Sequence, residues 1–387
     1  MHADLSACRE TLADLVAFET ISDRSNLDMI DYLADRLDHL GARVETHRDE
    51  TGGKANLFAT LGPDDAGGLV LSGHTDVVPV VGQAWTTDPF ALTEHDGLLY
   101  GRGTCDMKGF IAACLVTAPR YVGARLTRPL HFAFTYDEEV GCFGAQALAR
   151  TLSDQGVRPA TAIIGEPTSM RVIEGHKGCH EYHTRFKGLA GHGSAPSRGV
   201  NAVEYAARYI ARLIELQARL QDRAPADSRF VPPWSTINVG RIRGGSAANV
   251  IPEHAELDWD FRPVQDTDTA FVHDDLERYV NDVLRPAMRD VFDGADISTE
   301  TIGAIDGLEP VPENAARDIV MALTGANKTD CVAFGTEAGI FQHLGMSAVV
   351  CGPGSIDQAH KADEFVALDQ LSACLEMLDG LSHRMTR

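Results

Sequence analysis

The apolar run 69–72 ends in Gly73-His74-Thr75-Asp76. Bounded by Gly67-Gly68 and Pro79, it reads as a buried strand that delivers an imidazole and a carboxylate at its exit. Other apolar runs end in the same way. Run 130–135 leads into Tyr136-Asp137-Glu138-Glu139, and run 161–165 into Glu166-Pro167. The glycine-rich turn 101–109 carries Asp106 just before a helical pattern, and the loop after run 347–351 carries His360. In an open α/β sheet the carboxyl ends of the strands border the ligand crevice. Two imidazoles and several carboxylates gathered there form a nitrogen and oxygen donor set suited to zinc, cobalt or manganese. A carboxylate shared between two such ions is a hydrolytic arrangement. An acid two residues after His74 can orient its ring. Singly, each residue has a plainer explanation: a structural histidine, a helix-capping Asp106, and solvated acids ahead of a helix at 142–153. Those explanations do not account for so many strand exits that bear a carboxylate or an imidazole.

The elements that must position these residues fall into two styles. Helical patterns cover 4–19 and 26–40, and strands 42–47 and 56–61 precede run 69–72. Past Gly178 the solid apolar runs give way to alternation over 179–187. A long helix from Asn201, strands 235–242 and 255–261, a helix over 267–292 and a strand at 297–302 follow. That order, β-α-β-β-α-β, is a ferredoxin-like split unit with its helices on one sheet face. From Asn314 the first style returns: helix 314–324, strand 330–334, helix 337–344, strand 347–351 and a final helix near Asp369. We expect an α/β domain made of 1–178 and 305–387, with a smaller α+β domain, 179–304, inserted.

Bulk properties bound the function. A chain of 387 residues, 44% hydrophobic and 23% charged, can bury more than one core. A formal net charge of −22 argues against a nucleic-acid backbone or an anionic membrane as partner. The 8 cysteines include no C-x-x-C pair, so neither a zinc ribbon nor a redox motif is expected. Scattered free thiols, no secretory signal pattern and no membrane-length apolar run point to the cytoplasm.

Gly73-His74-Thr75-Asp76, Gly101-Arg102-Gly103-Thr104-Cys105-Asp106-Met107-Lys108-Gly109, Asp137-Glu138-Glu139-Val140-Gly141, Gly165-Glu166-Pro167-Thr168 and Ala359-His360-Lys361 together resemble the M20 metallopeptidase family over nearly the whole chain. The resemblance implies a two-zinc exopeptidase-like catalytic domain with an inserted ferredoxin-like α+β lid or dimerisation domain, and a homodimer through that insertion. It implies two divalent ions, zinc or else cobalt. His74 and Glu166 would hold one, Glu139 and His360 the other, and Asp106 would bridge them. Asp76 would support His74, and Glu138 would be the general base. Gly191-His192-Gly193 resembles the family's lid motif, which implies that His192 stabilises the oxyanion. Asn249 and Arg262 match substrate-binding positions, Arg262 for an α-carboxylate; read alone, Arg262 makes a strand-end salt bridge. Gly335 and Thr336 would line the same pocket. Stretches 165–178, 334–339 and 352–360 resemble the branch that deacetylates N2-acetyl-L-ornithine in arginine biosynthesis. The implied partner is a small N-acyl amino acid. Alternatives are desuccinylation of succinyl-diaminopimelate, for which Lys177 offers a cation, a broader N-acyl-amino-acid deacylase or dipeptidase, and a non-catalytic binding module. Glu337 is either a partner for a substrate amine or the cap of helix 337–344. His39, His95, His131, His183, His254 and His343 are read as structural.

Overall fold

The computed structural model describes residues 2–122 and 125–386. Eight strands form the central sheet, in the spatial order Arg43–Arg48, Ala55–Leu61, Leu130–Thr135, Leu69–His74, Thr161–Pro167, Ser347–Gly352, Ile173–His176 and Asp330–Val332. The four strands from Leu130–Thr135 to Ser347–Gly352 pair in parallel. Their apolar runs follow from that geometry, because a parallel strand is covered by helices on both faces. Leu69–His74, Leu130–Thr135 and Thr161–Pro167 are buried at every position. Parallel pairing also brings their carboxyl ends to one edge, with Thr135, His74 and Glu166 at or beside it.

Helix Lys108–Thr117 packs on strand Leu69–His74 and is covered by helices His2–Ala17 and Leu368–Met385. Nine of its residues are buried, which explains its lack of a polar stripe. The loop-rich stretch after Trp85 contributes strands Thr93–His95 and Leu98–Tyr100, which form a small sheet with Phe365–Ala367. That last strand is not foreseen from the sequence. Among the described residues no helix is long and apolar enough to cross a membrane.

A second compact unit comprises His176–Glu309 and Val332–Gly335. Its four strands run antiparallel in the order Thr236–Gly244, His254–Arg262, Cys179–Lys187, Asp296–Ile305. Strand Cys179–Lys187 alternates: His180, Tyr182, Thr184 and Phe186 are buried, and the residues between them are more exposed. Tyr182 and Phe186 join Tyr209 and Leu213 of helix Ala202–Gln221 in one core with Trp259 and Phe261. The order of elements is the ferredoxin-like one. The helix expected over 267–292 is interrupted. It runs as Asp266–Tyr279, a π-helical turn Val280–Leu284 and Arg285–Arg289, with Pro286 in the last segment.

Gly165 shows how closely the first unit is packed beside its strand exits. A Cβ there would lie 1.9 Å from Cγ of Phe110 on the buried helix. Gly165→Ala should therefore destabilise the protein by about 1–3 kcal/mol, the usual cost of overpacking. Denaturant unfolding of the variant and the parent checks this; equal midpoints would show that the helix and strand are not in firm contact.

Candidate active site

Six side chains from five segments converge at the carboxyl edge of the parallel strands. His74 ends its strand with 1% of its surface exposed. Its Nε2 lies 2.9 Å from Asp106 Oδ1 and 3.7 Å from Glu166 Oε1. Asp106 turns its other oxygen, Oδ2, to His360, whose Nε2 is 3.6 Å away. His360 Nε2 lies 2.9 Å from Glu139 Oε2. One carboxylate thus faces two imidazoles, each with a second acid beside it. Asp106 does not cap the helix that follows, because the cap position is Met107 and no side-chain cap bond forms.

Asp76 supports this arrangement from two sides. The His74 ring donates through Nδ1 to the Asp76 carbonyl at 2.9 Å, while the Asp76 carboxylate lies 3.6 Å from the same nitrogen. That carboxylate also accepts the backbone N–H of Glu138 at 3.0 Å, the N–H of Glu139 at 3.3 Å and the Ser22 hydroxyl at 2.7 Å. It therefore fixes the turn bearing both glutamates. Asn56 holds the same turn further on, accepting from Tyr136 N–H and donating to the Gly144 carbonyl. Asp137, the first acid of the three, pairs with Lys54 and is not part of the cluster.

The electrostatics of the cluster are those of too many acids in too little water. Burial, reinforced by Glu139 and Asp106 against the opposing pull of His74, pushes Glu138 well above the ordinary carboxyl range. Burial and Asp106 do the same to Glu166. Burial and Asp106 raise Glu139 to about 7. For Asp106 burial is outweighed by the two histidines, and its pKa is lowered. Burial disfavours charge on His74, but contacts with Asp106 and Asp76 hold the ring well above the usual imidazole range. The Glu139 contact likewise raises His360.

This donor set fits divalent cations. His74, Asp106 and Glu139 offer donor atoms within 4.8 Å of one another, and so do His74, Glu138 and Glu166. Glu166 Oε1 is buried with no hydrogen-bond partner, a costly state for a carboxylate that a cation would relieve. Nitrogen and oxygen ligands of this kind suit zinc or cobalt.

The remaining expected site residues lie in or at the border of the second unit. His192 is exposed, and its Nδ1 meets Ser194 Oγ at 2.7 Å. Asn249 is exposed and accepts the Gly193 N–H through its carbonyl. Arg262 makes its strand-end pair, Nε to Asp260 Oδ1 at 3.1 Å. Gly335 lies near Ile305 and Cys179. Thr336 is buried, and its hydroxyl accepts from Ala338 N–H at the start of helix Ala338–His343.

Glu337 is corrected on both expectations. It is fully buried and makes no side-chain cap bond. Its carboxylate accepts from Ser72 Oγ at 2.6 Å and Thr135 Oγ1 at 2.8 Å. It ties two parallel strands together just behind their exits and is shut off from any substrate amine in solution. Burial raises its pKa against those two hydroxyl donors. No local pattern announces this role, since Ser72 is 265 residues away.

A family model for "Peptidase family M20/M25/M40" matches residues 70–384. Acetylornithine deacetylase of Shigella sonnei (strain Ss046) is 40% identical over 368 residues, covering 95% of this chain and 93% of that protein. Aminopeptidase PepT of Bacillus cereus superposes with a TM-score of 0.73 at 18% identity, covering 98% of each chain. A dinuclear metal binding peptidase of Bacillus subtilis from the M20 family gives 0.65 at 17%, covering 99% of this chain and 98% of that one. The two structural likenesses are likenesses of fold.

The raised carboxyl pKa values set a pH dependence for the metal-free protein. A carboxyl that titrates near 7 when folded holds its proton there and releases it on unfolding, so its contribution to stability falls as pH rises from about 4.5 to 7. Buried His131 and His176, both lowered to about 4, act in the opposite direction. The cluster is therefore isolated by a difference. In chelator, the parent should lose stability relative to Glu139→Gln between pH 4.5 and 7, as read by denaturant unfolding. A difference that is flat over that window would remove Glu139 from the strained set.

Proposed function

We propose, from the premise that the chain belongs to peptidase family M20/M25/M40, that it hydrolyses N2-acetyl-L-ornithine to L-ornithine and acetate. The observation that carries the chemistry is Asp106, one carboxylate aimed at His74 and His360 together. The substrate is supported by the 40% identity to the Shigella sonnei deacetylase over 95% of this chain.

In this reading His74 and Glu166 would hold one divalent ion and Glu139 and His360 the other, with Asp106 available to both. Bound there, the ions would polarise the amide carbonyl and lower the pKa of the attacking water. Glu138 is the base. Its backbone is pinned by Asp76, and its carboxyl sits beside Cys142 with 8% of the residue exposed. It takes a proton from the water as the water oxygen attacks the acetyl carbon. It returns that proton to the α-nitrogen as the C–N bond breaks, and acetate and ornithine leave. Asp76 orients His74 and the glutamate turn together. His192 donates to the oxyanion, supplied by the partner of a homodimer formed through the inserted unit. By the family resemblance, Arg262, paired with Asp260, would take the substrate α-carboxylate, with Asn249, Gly335 and Thr336 as further substrate-binding residues. The product is an intermediate of arginine biosynthesis.

Desuccinylation of succinyl-diaminopimelate needs a cation for a further carboxylate. Lys177 is a poor source, because it is 3% exposed and its ammonium donates to the Trp234 carbonyl at 2.9 Å.

The test is a side-by-side kcat/KM panel of acetylornithine, succinyl-diaminopimelate, other N-acetyl amino acids and dipeptides on zinc- or cobalt-loaded protein. Acetylornithine should lead, and a clear preference for the succinyl substrate would overturn the assignment. Glu138→Ala should keep its metal while turnover drops at least ~10²-fold. Near-parental turnover would remove Glu138 as the base.

A further inference from the structure

Arg102 and Glu364 form an ion pair that is 1% exposed at both side chains, with Arg102 Nη1 2.5 Å from Glu364 Oε2. A buried pair of this kind adds little net stability, because desolvation of the two charges offsets their attraction. This pair is not optimised for stability either, since Arg102 Nε is buried with no partner. What distinguishes it is where its remaining bonds go.

Glu364 Oε1 accepts two backbone N–H groups, from Cys105 at 3.0 Å and from Asp106 at 3.1 Å. The residue whose carboxylate faces both imidazoles thus hangs by its own amide from Glu364. The Glu364 carbonyl accepts Gly101 N–H at 2.9 Å, which closes the same glycine-rich turn. On its other side Arg102 donates through Nη2 to Gln83 Oε1 at 2.6 Å. Gln83 Nε2 in turn donates to the His360 carbonyl at 2.9 Å. The Trp85 ring lies under the guanidinium at 5.1 Å, and its indole N–H also reaches Gln83 Oε1. His360 itself stands in a left-handed conformation, φ +64°, with its side chain half exposed. Its own packing therefore does little to hold its ring in place.

We propose that Arg102 and Glu364 are a positioning pair that fixes Asp106 and His360 relative to each other, so that a cation finds both ligands already placed. This rests on the metal-site reading above and extends it to two residues that touch neither the ions nor the substrate. The operative contact is the one between Glu364 Oε1 and the 105–106 amides; the arginine keeps that carboxylate aimed and carries the restraint on to His360. Supporting groups of this type typically change metal affinity by about 10–100-fold.

Two double variants separate positioning from burial of charge. Arg102→Met with Glu364→Gln removes both charges and keeps an oxygen acceptor for the amides. Arg102→Met with Glu364→Leu removes the acceptor as well. Cobalt binding is measured by chelator competition and by the visible spectrum of the bound ion, and Tm is measured without metal. The Leu double variant should bind cobalt at least 10-fold more weakly than the parent, with a changed spectrum and a metal-free Tm close to that of the Gln double variant. The Gln double variant keeps an acceptor for the amides but loses the Arg102–Gln83 link to His360, so it should bind cobalt more tightly than the Leu double variant and more weakly than the parent. Parental affinity and spectrum in the Leu double variant, or equal losses in both, would overturn the proposal. Should the Leu double variant not fold, the Gln double variant decides: weaker cobalt binding with a changed spectrum supports the restraint that Arg102 carries to His360, and parental affinity and spectrum overturn it. A parent protein that takes up no cobalt would bring down the metal-site reading itself, and this pair's role with it.

Discussion

The constraint on which the structure depends is the burial of Asp106, Glu138, Glu139 and Glu166 in one crevice with only two imidazoles to answer them. Without a cation the cluster relieves itself by holding protons, as the raised carboxyl groups of Glu138, Glu139 and Glu166 show. Glu166 still keeps an oxygen with no partner. A folded chain bears such a cost where the site has a use for it, and ligands that must shed protons to bind a metal are a familiar form of that use.

The scaffold meets the constraint with buried strands and backbone anchors rather than with the cluster residues themselves. Three strands, paired in parallel and buried throughout, set His74, the Glu138–Glu139 turn and Glu166 side by side. Glu337 ties two of these strands from behind, through Ser72 and Thr135. Asp76 spends its hydrogen bonds on the glutamate turn as well as on the neighbourhood of His74. Glu364 and Gln83 hold two loop-borne members of the cluster, Asp106 and His360, by their backbones. The cluster residues that come from loops and turns thus have dedicated anchors.

Much of this was legible in the chain. Apolar runs that end in an acid or a histidine identify the strand exits, and the β-α-β-β-α-β order after Gly178 foreshadows the separate small antiparallel sheet. Local pattern leaves Asp106 open between cap and cluster residue, because both readings need an acid before a helix; the structure shows that it makes no cap bond and faces His74 and His360. The role of Glu337 is hidden in the sequence, since a carboxylate one residue before a helix looks like a cap while its partners lie on strands remote in sequence. Arg102 and Glu364 gave no signal, as an ion pair that spans 262 residues has no periodicity. The break near Pro286 is not visible in the apolar pattern, which runs on through the π-helical turn at Val280–Leu284.

The chemistry and the choice of substrate stand on different ground. The cluster speaks for hydrolysis aided by two cations, whereas the acetylornithine reading leans on kinship at 40% identity. The claim on which everything else rests is that these side chains hold two ions. Anomalous diffraction at the zinc edge from zinc-loaded crystals tests it most directly. Two peaks should appear, one bounded by His74 and Glu166, the other by Glu139 and His360, with Asp106 touching both. Peaks elsewhere, or none at this cluster in a protein that is active, would contradict it.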